Sequence, residues 1–453
     1  MATAQIQTEA PPLRHIPLSY DNSNSQTSAL RLILSTHPQW EHSKGKIEFV
    51  RFTDGITNTL LKAVKMRPGS TEEDIDNEAI LLRAYGRGTE VLIDRERETT
   101  SHSLLAQRNL APSLLARFNN GLLYKFIRGH VCTPKDLTKE QVWRAVARRL
   151  AEWHAVLPVV SKPPSIDINE VGMNDHLNGH MHISNENVSP PLGRSKSFPS
   201  DERINAITPG KAKPNIWTVM QKWIFALPKG TVAEQERQAT LQKELERTVK
   251  ELGDLPGLGQ DGLVFGHCDL LSGNVIITPS SDFNPLLTPG GSLSAPTSTQ
   301  LSVSFIDYEY ATPCPAAFDI ANHFAEWGGF DCDYTQLPNR TQRRSFLYEY
   351  LQSYYFHLTT ATTPATSFSS FSAPSTPEDI DKEAEKLFEE VERFRGIPGF
   401  YWGIWALIQA TISQIDFDYA SYAETRLAEY WAWRDEESGC REREGREMPL
   451  REK

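Results

Sequence analysis

The 453-residue chain has no stretch approaching the ~20 consecutive apolar residues that a membrane helix requires. Met1 to Leu30 contains no apolar run that a secretory signal could use. The five cysteines (Cys132, Cys268, Cys314, Cys332, Cys440) are odd in number, scattered, and without a C-x-x-C pair. That spacing argues against a disulfide framework and against a structural zinc site. There is no basic surplus: 47 Lys+Arg stand against 58 Asp+Glu, a net charge of −11. A nucleic-acid partner, whose phosphates call for excess cations, is thereby disfavoured. No internal repeat occurs. These absences lead us to expect a cytoplasmic protein with no membrane span and no nucleic-acid partner.

What the chain does have is core material, with 39% hydrophobic and 10% aromatic residues. Its length allows two or three domains, or one large two-lobed body. Three segments read as insertions: 161–213, 279–301 and 359–377, rich in Pro, Ser, Thr, Asn or Gly and too poor in apolar periodicity to offset their ordering entropy. Residues 1–28 are expected to be a flexible N-terminus and 434–453 a charged, frayed tail.

Lys46 to Val64 reads as strand, turn, strand, with Asp54-Gly55 as the turn signal. Glu78 to Tyr85 suits a buried strand, and Asp94 to Gln107 a surface helix. Leu114 to Ile127 is a hairpin about Asn119-Asn120-Gly121. From Val142 the period changes: Val142, Val146, Leu150 and Trp153 recur at helical spacing. Phe400 to Ile415 is apolar nearly all round, as a buried helix is. Periodicity thus predicts an α+β protein, with a sheet-rich lobe over 29–130, a mainly helical lobe over 131–433, and a cleft between them.

The sharpest local signal is LVFGHCDLLSGNVII, Leu263 to Ile277. An apolar strand delivers His267, Cys268 and Asp269 into a turn, and Asn274 follows five residues after the acid. A second strand, Val303 to Ile306, delivers Asp307, with Glu309 two positions on. Two acids and an amide at strand ends suit phosphoryl transfer from Mg²⁺-bound ATP: one carboxylate accepts the hydroxyl proton, and oxygen ligands hold the metal. An isolated H-x-D-x4-N also reads as capped turns. The strand that follows it and the strand-borne Asp307 weigh toward chemistry. The turn Thr53 to Thr59 could cover phosphates, although it lacks the P-loop pattern.

FTDGITNTLL, LLRAYG, EVLIDRERE, LAPSLLARFNNGLLYKFIRG, KPNIWTVMQKW, GHCDLLSGNVI, FIDYEY, FDIANHFAEW and FYWGIWALIQATIS together resemble blocks of the choline/ethanolamine kinase family, in that family's order. The match spans about Ala29 to Tyr430 and leans toward the ethanolamine kinases. The resemblance implies a protein-kinase-like two-lobed fold with ATP in the cleft and Mg²⁺ as the metal. It implies Asp269 as catalytic base and Asn274 and Asp307 as metal ligands. Asp54, Gly55, Thr57 and Asn58 would lie over the phosphates, with Arg83 reaching them and Glu98 as its partner. Phe126 and Ile127 would form the hinge beside adenine. Tyr310, Asp319, Glu326, Trp402, Trp405, Gln409 and Tyr422 would enclose the substrate, the aromatic faces and carboxylates suiting a small cation. Ethanolamine is the implied substrate and a homodimer an admissible assembly.

Two departures stand out. Where the family commonly has His-Asn-Asp, this chain has His267-Cys268-Asp269. Leu270 and Leu271 resemble the D-L-L of ethanolamine kinases, whereas choline kinases tend to a polar residue at the second position. A choline or dual-specificity kinase is the neighbouring reading. A non-catalytic kinase-like binding protein is the rival, motivated by Cys268 and the insertions and opposed by the joint retention of Asp269, Asn274 and Asp307. The H-x3-H-x-H of His176, His180 and His182 reads as a solvated loop.

Overall fold

A computed structural model describes residues 13–52, 58–86, 88–159, 200–278, 301–361, 376–413 and 415–443. The first lobe is a six-stranded sheet: β1 His15–Ile16, β2 Lys46–Phe52, β3 Asn58–Met66, β4 Ile80–Tyr85, β5 Leu114–Phe118 and β6 Gly121–Lys125, in spatial order β1-β5-β6-β4-β3-β2. The expected hairpin forms at Asn119-Asn120, and Asn120 is more than a turn residue. Its side chain accepts from Tyr20 N at 2.9 Å and donates to Tyr20 O at 3.0 Å, tying the N-terminal segment to the sheet. Together with β1, which pairs in parallel with β5, this overturns the expectation of a flexible 1–28 from residue 13 onward. Burial of Ile16 and Tyr20 supplies the reason.

Helices α1 Ser25–Thr36 and α2 Gln39–His42 cover one face of the sheet, burying Ala29, Leu32, Ile33 and Trp40 against Leu61, Leu82 and Leu123. Next come α3 Glu72–Glu78, with a Thr71/Asp74 capping box, and α4 Arg95–Gln107. The α4 helix is not the surface helix its polarity suggested. Glu98, Thr99, Ser101, His102 and Leu105 are buried; Thr99 and His102 bond backbone carbonyls and Glu98 meets Arg83 in the cleft.

The chain enters the second lobe through β7 His130–Val131, α5 Pro134–Leu137 and α6 Glu140–Val156. In α6, Val142, Val146, Leu150 and Trp153 are all buried, as their spacing predicted. Then come α7 Asp201–Asn205, α8 Ile216–Ala226, α9 Val232–Leu252, β8 Val264–Gly266, β9 Val275–Thr278, β10 Ser302–Phe305 and β11 Thr312–Cys314. The lobe is completed by α10 Ala316–Ala325, α11 Arg340–Ala361, α12 Pro377–Phe394, α13 Ile397–Ile412, α14 Tyr419–Glu437 and α15 Cys440–Arg443.

The expected insertions contract at their edges. The α7 helix lies within 161–213, α11 continues to Ala361, and α12 starts at Pro377. Nor is the tail frayed at its start, since the buried Arg434 pairs with Glu251 at 2.6 Å and donates to Thr248 at 2.9 Å. His176, His180 and His182 lie outside the described residues. No helix among the described residues is long and apolar enough to cross a membrane.

Two short ladders build the floor of the cleft. The β9 strand pairs with β10 and β7, and β8 pairs with β11. The turns leaving β8 and β10 carry Asp269 and Asp307, and Asp307 meets Arg83 of the first lobe at 2.7 Å.

Candidate active site

The loop after β8 hangs from a buried carboxylate. Backbone N–H groups of His267 and Cys268 donate to Asp319 Oδ2 and Oδ1 at 2.8 and 2.7 Å, and His154 Nε2 lies 2.9 Å from Oδ2. His154 Nδ1 in turn lies 2.7 Å from Tyr350 Oη. Burial pushes the Asp319 carboxyl upward, but the His154 contact and the N–H of Cys268 prevail and hold it below the usual carboxylate range. Asp319 was expected among the substrate-contacting residues. It is fully buried with both oxygens committed to the loop, so it positions the loop and does not line the substrate space. Gly266 permits this approach, because a Cβ there would strike Cys314 Sγ and crowd the Asp319 carboxylate.

Two other anchors hold the loop. His267 Nε2 donates to Ile306 O at 3.0 Å, joining it to the segment that carries Asp307. His323 Nδ1 donates to Leu270 O at 2.8 Å, while its Nε2 accepts from Trp327 Nε1 at 3.1 Å. That pattern requires a neutral imidazole, and burial brings the pKa of both histidines down to about 4.

Cys268 adopts φ +62° and Asp307 φ +66°, the left-handed region that ordinary side chains avoid. The Cys268 thiol sits 3.7 Å from Cys314 Sγ and 3.8 Å from Thr312 O, fully buried, and burial raises its pKa. The family's commoner Asn tolerates a left-handed backbone better than Cys does.

Asp269, thus presented, receives Asn274 Nδ2 on its carboxylate at 3.1 Å and on its backbone carbonyl at 2.7 Å. Burial and then the negative charges of Asp307, Glu326 and Glu309 push its carboxyl well above the ordinary range. Across the cleft, Arg83 on β4 is buried among acids. It lies 3.1 Å from Glu98 and 2.7 Å from Asp307, and it pairs still more tightly with Glu309. Arg95 joins the same group, 2.9 Å from Glu98 and 3.1 Å from Glu309. Asn58 Nδ2 reaches Glu309 at 3.2 Å. Arg83 and Glu98 meet as expected. The bridging of Arg83 and Arg95 by Glu309 has no local sequence signal, although Arg95 stands one turn before Glu98 on the same helix face.

Trp402 and Trp405 stand on one face of α13 with ring centroids 5.5 Å apart and nearly perpendicular. Tyr310 lies edge-on to Trp402 at 5.6 Å and accepts from Trp405 Nε1 at 2.8 Å. Trp402 Nε1 is held by Asn322 Oδ1 at 2.8 Å. Gln409 and Tyr422 are buried on the adjoining stretches of α13 and α14. Glu326, at the end of α10, is only 4% exposed and pairs with Arg426 Nη2 at 3.1 Å. Phe126 and Ile127 follow β6 at the crossing between lobes, Lys62 Nζ lying 3.9 Å above the Phe126 ring. Asp54, Gly55 and Thr57 lie outside the described residues.

A two-lobed body with carboxylates, an amide and a buried arginine meeting in its cleft has the architecture of the protein-kinase-like phosphotransferases. The family model described as choline/ethanolamine kinase matches residues 49–431, and the chain belongs to that family. Its members are phosphotransferases, which removes the non-catalytic reading. The chain is 30% identical to human ethanolamine kinase 1 over 94% of its own length and 76% of that protein's. It is likewise 30% identical to mouse ethanolamine kinase 1, over 94% of both chains. Among solved structures, an ethanolamine kinase of Plasmodium vivax aligns with TM-score 0.58 and 22% identity, covering 89% of this chain and 88% of that one.

Proposed function

We propose that the protein phosphorylates ethanolamine with ATP, giving phosphoethanolamine and ADP, the first step of the CDP-ethanolamine route to phosphatidylethanolamine. The observation that carries this reading is that the buried Asp269 feels the charges of Asp307 and Glu309 from the acid–arginine cluster and that of Glu326, while the buried Tyr310 of the aromatic group feels the charge of Asp269. Asp269 takes the hydroxyl proton as that oxygen attacks the γ-phosphorus, and the bond to the β-phosphate oxygen breaks to release ADP.

The cluster fits a divalent cation. Among the described residues Asp307, Glu309 and Glu98 pair with Arg83 and Arg95, three carboxylates against two guanidiniums, and Asp269 feels the charges of Asp307 and Glu309, an arrangement of oxygen donors of the kind magnesium prefers. Asn274 and Asp307 would hold Mg²⁺, which neutralises charge on the transferring phosphates. The Asn274 amide N–H groups face Asp269, which leaves its carbonyl oxygen for the metal. Asp54, Gly55, Thr57 and Asn58 would cover the phosphates, Arg83 with Glu98 would serve the phosphate side, and Phe126 and Ile127 the adenine side. Tyr310, Trp402, Trp405, Gln409 and Tyr422 would surround the amine, with Glu326 as its counter-charge. The reading includes a cytoplasmic location, in keeping with five scattered cysteines.

The test is ADP release from purified protein with Mg²⁺ and ATP, comparing ethanolamine, choline and no acceptor. A kcat/KM at least about tenfold higher for ethanolamine, some 1.4 kcal/mol in transition-state binding, is the expected result. A reversed ratio would assign the protein to choline, whose quaternary ammonium relies on aromatic walls alone.

A further inference from the structure

We propose that Glu429, a residue outside the amine pocket, sets the negative charge that the pocket presents, acting through Arg426 on Glu326. The inference rests on the reading of the protein as an amine kinase and concerns how that amine is held.

Glu326 is the buried carboxylate placed to meet an ammonium group, yet it is already paired with a guanidinium, Arg426 Nη2 at 3.1 Å. Arg426 is 1% exposed, so its charge is not dissipated in water. A lone buried Glu–Arg pair is neutral and offers an incoming cation little net attraction. Here the guanidinium is shared. Its Nε lies 3.2 Å from Glu429 Oε2, one turn further along α14. Glu429 is itself fixed by the Tyr334 hydroxyl, which donates to Oε1 at 3.0 Å. Two carboxylates on one guanidinium leave one negative charge, and the geometry gives it an outlet at Glu326.

Glu429 stands on α14, two turns beyond Tyr422. It lines a separate cavity of about 40 Å³ with Cys332, Tyr334 and Arg395. It is therefore a positioning residue whose influence passes through charge. Removing that charge lets Arg426 neutralise Glu326 and weakens ammonium binding, while the reacting hydroxyl, Asp269 and the nucleotide side are left as they were.

The experiment is steady-state ADP release by the full chain, with ethanolamine and ATP varied in turn, for wild type, Glu429→Gln, Glu429→Asp and Tyr334→Phe. Glu429→Gln is expected to raise the ethanolamine KM about five- to tenfold, with kcat within about twofold and the ATP KM unchanged. Glu429→Asp, which keeps the charge, should recover most of that loss. Tyr334→Phe, which frees Glu429 without removing it, should move the ethanolamine KM the same way by about twofold. An unchanged ethanolamine KM in Glu429→Gln overturns the proposal. So does a loss in which kcat and the melting temperature fall and both KM values rise together in Glu429→Gln, with no recovery in Glu429→Asp. Wild-type protein that turns over neither ethanolamine nor choline instead defeats the kinase reading itself, a different and separately visible result.

Discussion

The backbone N–H of Cys268 points at Asp319 Oδ1 across 2.7 Å, so the residue preceding the proposed base is fixed by a carboxylate 51 positions away in sequence. The same carboxylate accepts from His267 N at 2.8 Å. Asp319→Asn keeps the shape but replaces an anionic acceptor of two backbone donors with an amide that can accept on one side only. We expect kcat to fall about 100-fold and stability to fall by about 2–4 kcal/mol. Melting temperature and steady-state kinetics check this. Full activity in the variant would show that the loop stands without its anchor.

Asp269→Ala removes the proposed proton acceptor. Turnover should fall about 10³-fold or more while ATP binding persists, measured by calorimetric titration beside ADP release. Near-normal kcat would remove Asp269 from the role of base.

Cys268 offers a test of backbone strain. At φ +62° an Asn is better tolerated than a Cys and a β-branched residue far worse. Cys268→Val is therefore expected to cost about 2–3 kcal/mol. Cys268→Asn should retain activity within about threefold, its relief of strain offset by crowding against Cys314 Sγ at 3.7 Å. Urea unfolding of the two variants separates these outcomes, and equal losses would mean that packing rather than backbone conformation governs the position.

Acid sensitivity follows from three buried histidines. His102, His267 and His323 are each brought to about 4 by burial, against an unfolded value near 6.5. Between those values the unfolded chain binds protons that the native protein excludes, so stability rises with pH through that window and is lost as pH falls from 6.5 toward 4. At about 1.4 kcal/mol per pKa unit, the combined loss is several kcal/mol. Melting temperature recorded from pH 7.5 to 4.5 should drop steeply below about pH 6.5. A flat profile down to pH 5 would mean that these imidazoles are protonated in the native state.

Elements whose signal is local were legible. The Val142-to-Trp153 stripe and the Asn119-Asn120-Gly121 turn each lie within one element, where spacing alone decides which side chains share a face. The α3 helix has no apolar stripe to mark it, since five of its seven residues are acidic and none is buried, although Thr71 and Asp74 carry its start signal. The α4 helix has the polarity of a surface element, but polarity is not exposure. Glu98 and His102 are buried with partners, and polarity along one segment cannot reveal that Arg95 of the same helix meets Glu309, 214 positions away.

Sequence by itself determined the two-lobed division, the loop that carries Asp269 and Asn274, the strand that leads to Asp307, and the Trp402/Trp405 face. Each of these depends on short-range spacing and on residue types specific enough to mark a family. Tertiary structure alone decided that Asp319 serves the loop and not the substrate, that Glu309 bridges Arg83 and Arg95, and that Arg426 divides its charge between Glu326 and Glu429. The physical reason is common to all three: a buried charge takes its role from whichever partner folding brings within about 3 Å, and burial is what makes that partner decisive.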